Sequence, residues 1–249
     1  MSILKYDVDC STWSPQGKIL QVDYAKEAVK QGSICLALRS SEGAVLLSVK
    51  KNPSKLACYQ EKIFRISKNA GVGLAGMTGD GRHLVHFLQA QNAKKRVKYN
   101  TDASAKSLSS KLAHKMHNRT LTYGKRPFGV GLLVVGRNSE GFGVYELSPA
   151  GEHVEYDAFA IGAKNQTAKT YLEKSLPHLA HADAERLVLH GLAAIRAGYR
   201  EEKEVMSEKN IEIALVTKDQ DFTVLDESRV AAFMAQLAGF NPQSGMTIE

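Results

Sequence analysis

Tyr6-Asp7 opens a stretch that runs through Trp13-Ser14-Pro15-Gln16-Gly17-Lys18 to Gln21-Val22-Asp23-Tyr24-Ala25-Lys26-Glu27-Ala28 and closes at Gly32. Pro15 and Gly17 predict a turn, because proline pre-sets one backbone angle and glycine tolerates the rest. The spacing after it predicts a helix over Lys18–Gln31, with Gly32 as its C-terminal stop. On that helix Asp23, Lys26, Glu27 and Lys30 share one face, and Val22, Tyr24, Ala25, Ala28 and Val29 the other. Gln21 falls inside the apolar arc, where a buried amide needs hydrogen-bond partners. An amphipathic helix ahead of the first strand implies that the start of the chain packs against something.

Beyond the helix, apolar or alternating segments predict strands at Ile34–Arg39, Ala44–Lys50, Ile63–Ser67 and Val72–Ala75. The middle is helical: Leu84, Val85 and Leu88 form one apolar stripe, and Ala105, Leu108, Leu112 and Met116 a second. Strands return at Val130–Gly136, Phe142–Leu147 and Ala158–Ile161, followed by helices over Lys164–Leu176 and Asp183–Ala197. Two strands, Ile211–Thr217 and Phe222–Leu225, precede a closing helix from Ser228. Helices arrive in blocks and not after every strand, which argues against a doubly wound parallel sheet. Leu132-Leu133-Val134-Val135 is apolar on both faces and so predicts a strand covered on both sides. Two stacked sheets with helices outside satisfy both facts: an α+β fold, as a four-layer αββα sandwich in one domain.

At its opening the chain resembles the α-type subunits of the 20S proteasome. That family begins with Tyr-Asp, a spacer, Ser-Pro-x-Gly and Gln-Val-Glu-Tyr-Ala-x-Glu-Ala; here Asp23 replaces the usual Glu and Trp13 the commoner Phe. Gly76-Met77-Thr78-Gly79-Asp80-Gly81-Arg82 is similar to the family's turn into its first long central helix. Tyr123-Gly124-Lys125-Arg126-Pro127-Phe128-Gly129-Val130-Gly131 is similar to its loop before the central strand. Ile161-Gly162-Ala163-Lys164, with Gln166 and Ala168 to Glu173, resembles its next helix start. Trp13 and Lys30-Gln31-Gly32-Ser33 lean towards the sixth position of the eukaryotic α ring.

The resemblance implies a sandwich of the amino-terminal-nucleophile hydrolase type with an extra N-terminal helix. It implies a single domain over 1–249, with a gate segment and helix at 1–32; the composition of 239–249 suggests a flexible tail. The implied role is a non-catalytic structural and gating subunit of the outer ring, supporting ubiquitin-dependent and ubiquitin-independent degradation without a cofactor. Expected partners are two lateral α neighbours, the β-ring subunits, and a regulatory particle or other activators, with neither nucleic acid nor membrane. Gating falls on Tyr6, Asp7, Pro15 and Tyr24. A pocket for an activator's terminal carboxylate falls on Lys62, with Gly32 letting the backbone approach.

Composition sets outer bounds. The 249 residues are 43% hydrophobic, enough for one large core or two small ones. No run approaches the roughly 20 apolar residues that span a bilayer, and the N-terminus lacks an apolar signal core, so cytoplasm and nucleus are expected. Cys10, Cys35 and Cys58 lack paired spacing and read as reduced thiols, and the sequons at Asn118 and Asn165 as unglycosylated. The net charge of +7 invites a nucleic-acid reading, with Lys94-Lys95-Arg96-Val97-Lys98 as its densest cluster and Lys50-Lys51 elsewhere. Without aromatic interleaving, that cluster reads as a solvated helix end whose cations suit the dipole.

Three chemical candidates remain. Gly71-Val72-Gly73-Leu74-Ala75-Gly76 matches GxGxxG, yet its glycines lie within an apolar strand and not between strand and helix. The pairs His83/His86, His114/His117 and His178/His181 have a spacing that can hold a metal but bring no companion ligand. Related β-type subunits free an amino-terminal threonine after glycine, whose amine acts as base; the matching junction here is Gly32-Ser33. Against an amino-terminal nucleophile stand serine in place of threonine, Val49 where the active pattern has aspartate, and an opening segment of the retained type. Lys62 does match the active-site lysine of that pattern.

Overall fold

The computed structural model describes residues 6–51, 56–57, 60–199 and 206–240. Cys58 and residues 241–249 of the expected tail lie outside them. Helix α1, Leu20–Gln31, starts two residues later than its spacing suggests, because Ser14 to Lys18 is spent on the turn. Gly32 ends it with φ −67° and ψ 147°, extended and not left-handed. Glycine is required there for space: a Cβ would run into the backbone nitrogen of Gly76.

Strands β1 (Cys35–Arg39), β2 (Gly43–Val49), β3 (Ile63–Arg65) and β4 (Ala70–Gly76) are followed by α2 (Thr78–Tyr99) and α3 (Ala105–Leu121). Next come β5 (Val130–Asn138), β6 (Gly141–Leu147), β7 (His153–Tyr156) and β8 (Ala158–Ile161), then α4 (Asn165–Leu179) and α5 (Ala184–Gly198). The last elements are β9 (Ile211–Thr217), β10 (Thr223–Val224) and α6 (Glu227–Leu237). The exposed strand β7 carries no apolar alternation and escaped the sequence reading. Helix α4 runs on through Pro177 to Leu179, past the expected end at Leu176.

The strands form two five-stranded antiparallel sheets, ordered β10-β9-β2-β1-β8 and β3-β4-β5-β6-β7. Three apolar clusters separate four layers. Leu36, Leu38, Leu47 and Ile213 meet α4, α5 and α6 on the outer face of the first sheet. Val72, Leu74, Leu132 and Val134 meet α2 and α3 outside the second. Ala37, Leu46, Leu133, Val135 and Phe222 fill the space between sheets. Strand β5 thus sends Leu132 and Val134 one way and Leu133 and Val135 the other, as its two-faced apolar run requires.

Candidate functional site

The turn before α1 is closed by Ser14: Gly17 N–H donates to its carbonyl at 2.9 Å, and Lys18 N–H to its hydroxyl at 3.2 Å. Gly17 takes φ +72°, which glycine permits without strain. Val22, Ala25 and Val29 form the buried stripe of α1, laid across β4 and β5. Val29 fits because Gly131 has no side chain to displace it. Tyr24 is off this stripe and 46% exposed, correcting its assignment to the apolar face. Gln21 meets its need for a partner by donating from Nε2 to the Asp7 carbonyl, which ties Tyr6-Asp7 back onto α1.

Asp7, next to Tyr6, is thus tied to the first turn of α1, while the Pro15 turn precedes the helix and Tyr24 lies in its second turn. Tyr6 and Asp7 are half-buried, and Pro15 and Tyr24 exposed. Among the described residues no hydrogen bond joins the Tyr6 or Tyr24 hydroxyl to the Asp7 carboxylate. Trp13 lies close by in sequence and is 64% exposed. Behind α1, Lys26 lies 3.9 Å from Glu152. Half-buried Glu146 on β6 has its pKa raised to about 7 by burial, against the pull of Lys169 and Lys26.

Where α1 hands over to β1, a buried polar nest forms. Ser33 Oγ donates to the Val49 carbonyl at 2.6 Å. Lys62 Nζ donates to both the carbonyl and the hydroxyl oxygen of Ser33, at 2.6 Å each. Glu212 on β9 accepts from the Lys62 and Ile63 backbone N–H groups at 3.0 and 3.1 Å, and from the Ser48 hydroxyl at 3.3 Å. Lys62 is only 7% exposed, so it is no ordinary surface lysine. Burial lowers its pKa to about 8, with Cys35 and Glu212 opposing. Burial pushes the Cys35 thiol up to about 12 and also raises Glu212.

This geometry disarms Ser33. Its hydroxyl donates to a carbonyl where a base is needed, and its other partner among the described residues is an ammonium, which cannot accept a proton. The Gly32 carbonyl before it accepts from Ala163 N–H at 2.7 Å. Val49 contributes a main-chain oxygen where a carboxylate would be required. The backbone that crowds Gly32 is the chain's own β4.

The other candidates dissolve into packing. Gly71 and Gly73 lie within β4, paired on both sides, and their missing side chains leave room for Phe222 and Cys35. His83 stacks on Phe128 with centroids 6.0 Å apart, and His117 Nδ1 lies 3.1 Å from the Ala150 carbonyl. Among the described residues, no group of three or more His, Cys, Asp and Glu side chains gathers with metal-holding geometry. No helix among them is long and apolar enough to cross a membrane. Sequence reading missed the Glu212 nest, since only β9 pairing with β2 brings residue 212 to residue 62.

A family model described as "Proteasome subunit" matches residues 29–216, and a second, for the N-terminal signature of A-type proteasome subunits, matches residues 6–28. The chain is 36% identical to "Proteasome subunit alpha type-1" of Dictyostelium discoideum, over 96% of either chain. It is 36% identical to the protein of that name from Caenorhabditis elegans, over 94% of this chain and 90% of the other. It is 38% identical to "Proteasome subunit alpha type-6" of Saccharomyces cerevisiae, over 92% of this chain and 98% of the other.

Proposed function

The chain belongs to the proteasome subunit family as an α-type member, and from that premise we propose that it is a non-catalytic structural and gating subunit of the 20S outer ring. One observation carries the reading: the signature segment folds as α1 and lies over β4 and β5, and the Ser33 that follows it has no base among the described residues. In this reading the fold is of the amino-terminal-nucleophile hydrolase type, residues 1–249 are one domain, and the sixth ring position is occupied. Relatives named type-1 and type-6 are compatible with that position.

Ring contacts are heterologous and close by rotation, so the chain has two unlike lateral faces for its α neighbours. The β ring lies beneath it, and an activator docks above. Tyr6, Asp7, Pro15 and Tyr24 form the gating cluster with a neighbour; the outward Tyr24 ring and the Asp7 carboxylate, unpaired among the described residues, are suited to it. A tyrosine hydroxyl donating to Asp7 would be a charge-assisted bond. Lys62, close to Gly32, is the partner for an activator's terminal carboxylate, a pairing worth roughly 1.5–3 kcal/mol; to make it, Nζ must turn from the buried Ser33 oxygens that it holds in the lone chain. The particle works in cytoplasm and nucleus.

The test is native mass spectrometry of the assembly with the intact mass of this chain. A chain retaining Tyr6 to Gly32 inside a particle of stacked rings is expected. A chain beginning at Ser33 would overturn the reading.

A further inference from the structure

Lys62 stands just ahead of β3, and two bonds from different sheets hold its main chain. Leu74 N–H on β4 donates to its carbonyl at 3.1 Å, and its own N–H donates to Glu212 on β9 at 3.0 Å. Ile63 N–H reaches the same carboxylate oxygen at 3.1 Å. The hydroxyl of Ser48, the residue paired with Glu212 across β2 and β9, reaches it at 3.3 Å. Glu212 thus rivets the first sheet to the start of a strand in the second, and does so while only 6% exposed. A neutral glutamine oxygen could accept the two backbone bonds without the cost of burying a charge. The charge itself needs another reason.

The buried ammonium supplies it. Lys62 Nζ spends two of its three protons on the neutral oxygens of Ser33. Among the described residues its third proton has no acceptor and its charge no ion-pair partner. Three titratable groups act on it: Cys35 from β1, Glu212 from β9, and Lys51 from the chain after β2. Lys51 repels the charge. The Cys35 thiol, pushed up to about 12, is neutral where Lys62 titrates, at about 8. Glu212 is left as the one anion of the three that can hold the proton on Nζ. Burial and Glu61 work against the Glu212 anion, while the two backbone N–H groups and Lys50 favour it.

We propose that Glu212 is a positioning residue of the docking site: it pins the main chain from which Lys62 reaches, and its negative charge supports the ammonium that receives a terminal carboxylate. It acts through Lys62, because its own charge opposes an incoming anion. The inference rests on the docking role of Lys62 proposed above.

The test uses the assembled particle. Its probe is a short peptide that copies the tail of an activator, ends in a free carboxylate and carries a benzoylphenylalanine near that end. The same peptide with an amidated end is the control and should label weakly at every pH. Light-dependent label on this chain, read by intact mass, singles out the sites that this chain lines. In wild type the label should fall as pH rises through about 8. With Glu212→Gln the fall should come about one pH unit earlier, leaving apparent affinity about tenfold weaker on the alkaline side. At about pH 6, where Nζ is protonated in both, the variant should bind at least as well, because a repelling carboxylate is gone. A loss equal at every pH would make Glu212 structural only, and an unchanged profile would make its charge idle; either overturns the proposal. Glu212→Asp keeps the charge and shortens the reach, so it should weaken labelling about equally at every pH and keep the wild-type half-point. It carries the test if Glu212→Gln does not enter the particle, and a half-point shifted down in Glu212→Asp would overturn the proposal as well. Lys62→Met separates the two readings. Label lost in Lys62→Met while Glu212→Gln behaves as wild type defeats this inference alone. Label retained in Lys62→Met defeats the docking role itself, and this inference with it.

Discussion

Asp80 holds Arg126 in a two-pronged ion pair, Nη1 to Oδ2 at 2.6 Å and Nη2 to Oδ1 at 2.8 Å, while Gly129 N–H adds a third bond to the carboxylate at 2.9 Å. The pair fastens the start of α2 to the loop that enters β5. It holds the Asp80 carboxyl below the usual range. Asp80→Ala leaves Gly129 N–H without its acceptor and the guanidinium without its fork. A loss of about 1–3 kcal/mol is expected in urea unfolding. Arg126→Lys should recover only part of it, since an ammonium cannot reproduce the fork.

Gly32→Ala should destabilise more than a surface substitution, because the added methyl meets the β4 backbone and not a movable side chain. A cost of about 1–3 kcal/mol is expected from overpacking. Thermal melting checks it; an unchanged midpoint would show that α1 is free to shift away from β4.

Lys62 titrates against the fold. Its pKa falls from 10.5 to about 8, so the folded protein binds fewer protons than the unfolded chain between those values. Stability should therefore rise with pH from 8 to 10.5, with the full cost of the buried charge present below 8. Lys62→Met should lack this rise. Urea midpoints of the two proteins at pH 7.5 and pH 10 would show it, wild type gaining on the variant at the higher pH.

Glu146 has the opposite chemistry and a lower window. Raised from 4.5 to about 7, it binds more protons folded than unfolded, and wild-type stability falls as pH climbs between them. Glu146→Gln removes the titration. The variant should match or trail wild type at pH 4 and gain on it up to pH 7, with no further gain above. A constant difference across this range would refute the cause.

Tyr24→Phe removes one hydroxyl from a ring that lies off the buried stripe of α1 and keeps the ring itself. The isolated chain should melt as wild type does. In the particle, activator-stimulated peptide hydrolysis should fall while binding of the activator persists; unaltered stimulation would remove Tyr24 from the gating cluster.

The layered fold was legible because its cues are local and redundant. Helices come in blocks, β5 is apolar on both faces, and the turn at Pro15 to Gly17 shows in two residues. What stayed hidden depends on contacts between distant residues. Asp80 was visible in its motif beside Arg82, but the partner that binds it is Arg126, 46 residues on. Lys62 and Ser33 were singled out, yet only the fold reveals that one donates to the other and that Val49 and Glu212 complete the nest. Strand β7 has nothing to bury, so no periodicity announced it. Tyr24 shows the limit of the helical wheel, which assigns an arc without saying how wide the contact will be.

Reagents that trap amino-terminal nucleophiles work by capturing a hydroxyl and the free amine beside it. In the uncleaved chain Ser33 offers neither: its nitrogen is acylated by Gly32, and its oxygen is held between an ammonium and a carbonyl. An electrophile used to count working sites in the particle would pass the uncleaved chain by, and a label found on Ser33 would report cleavage at Gly32-Ser33.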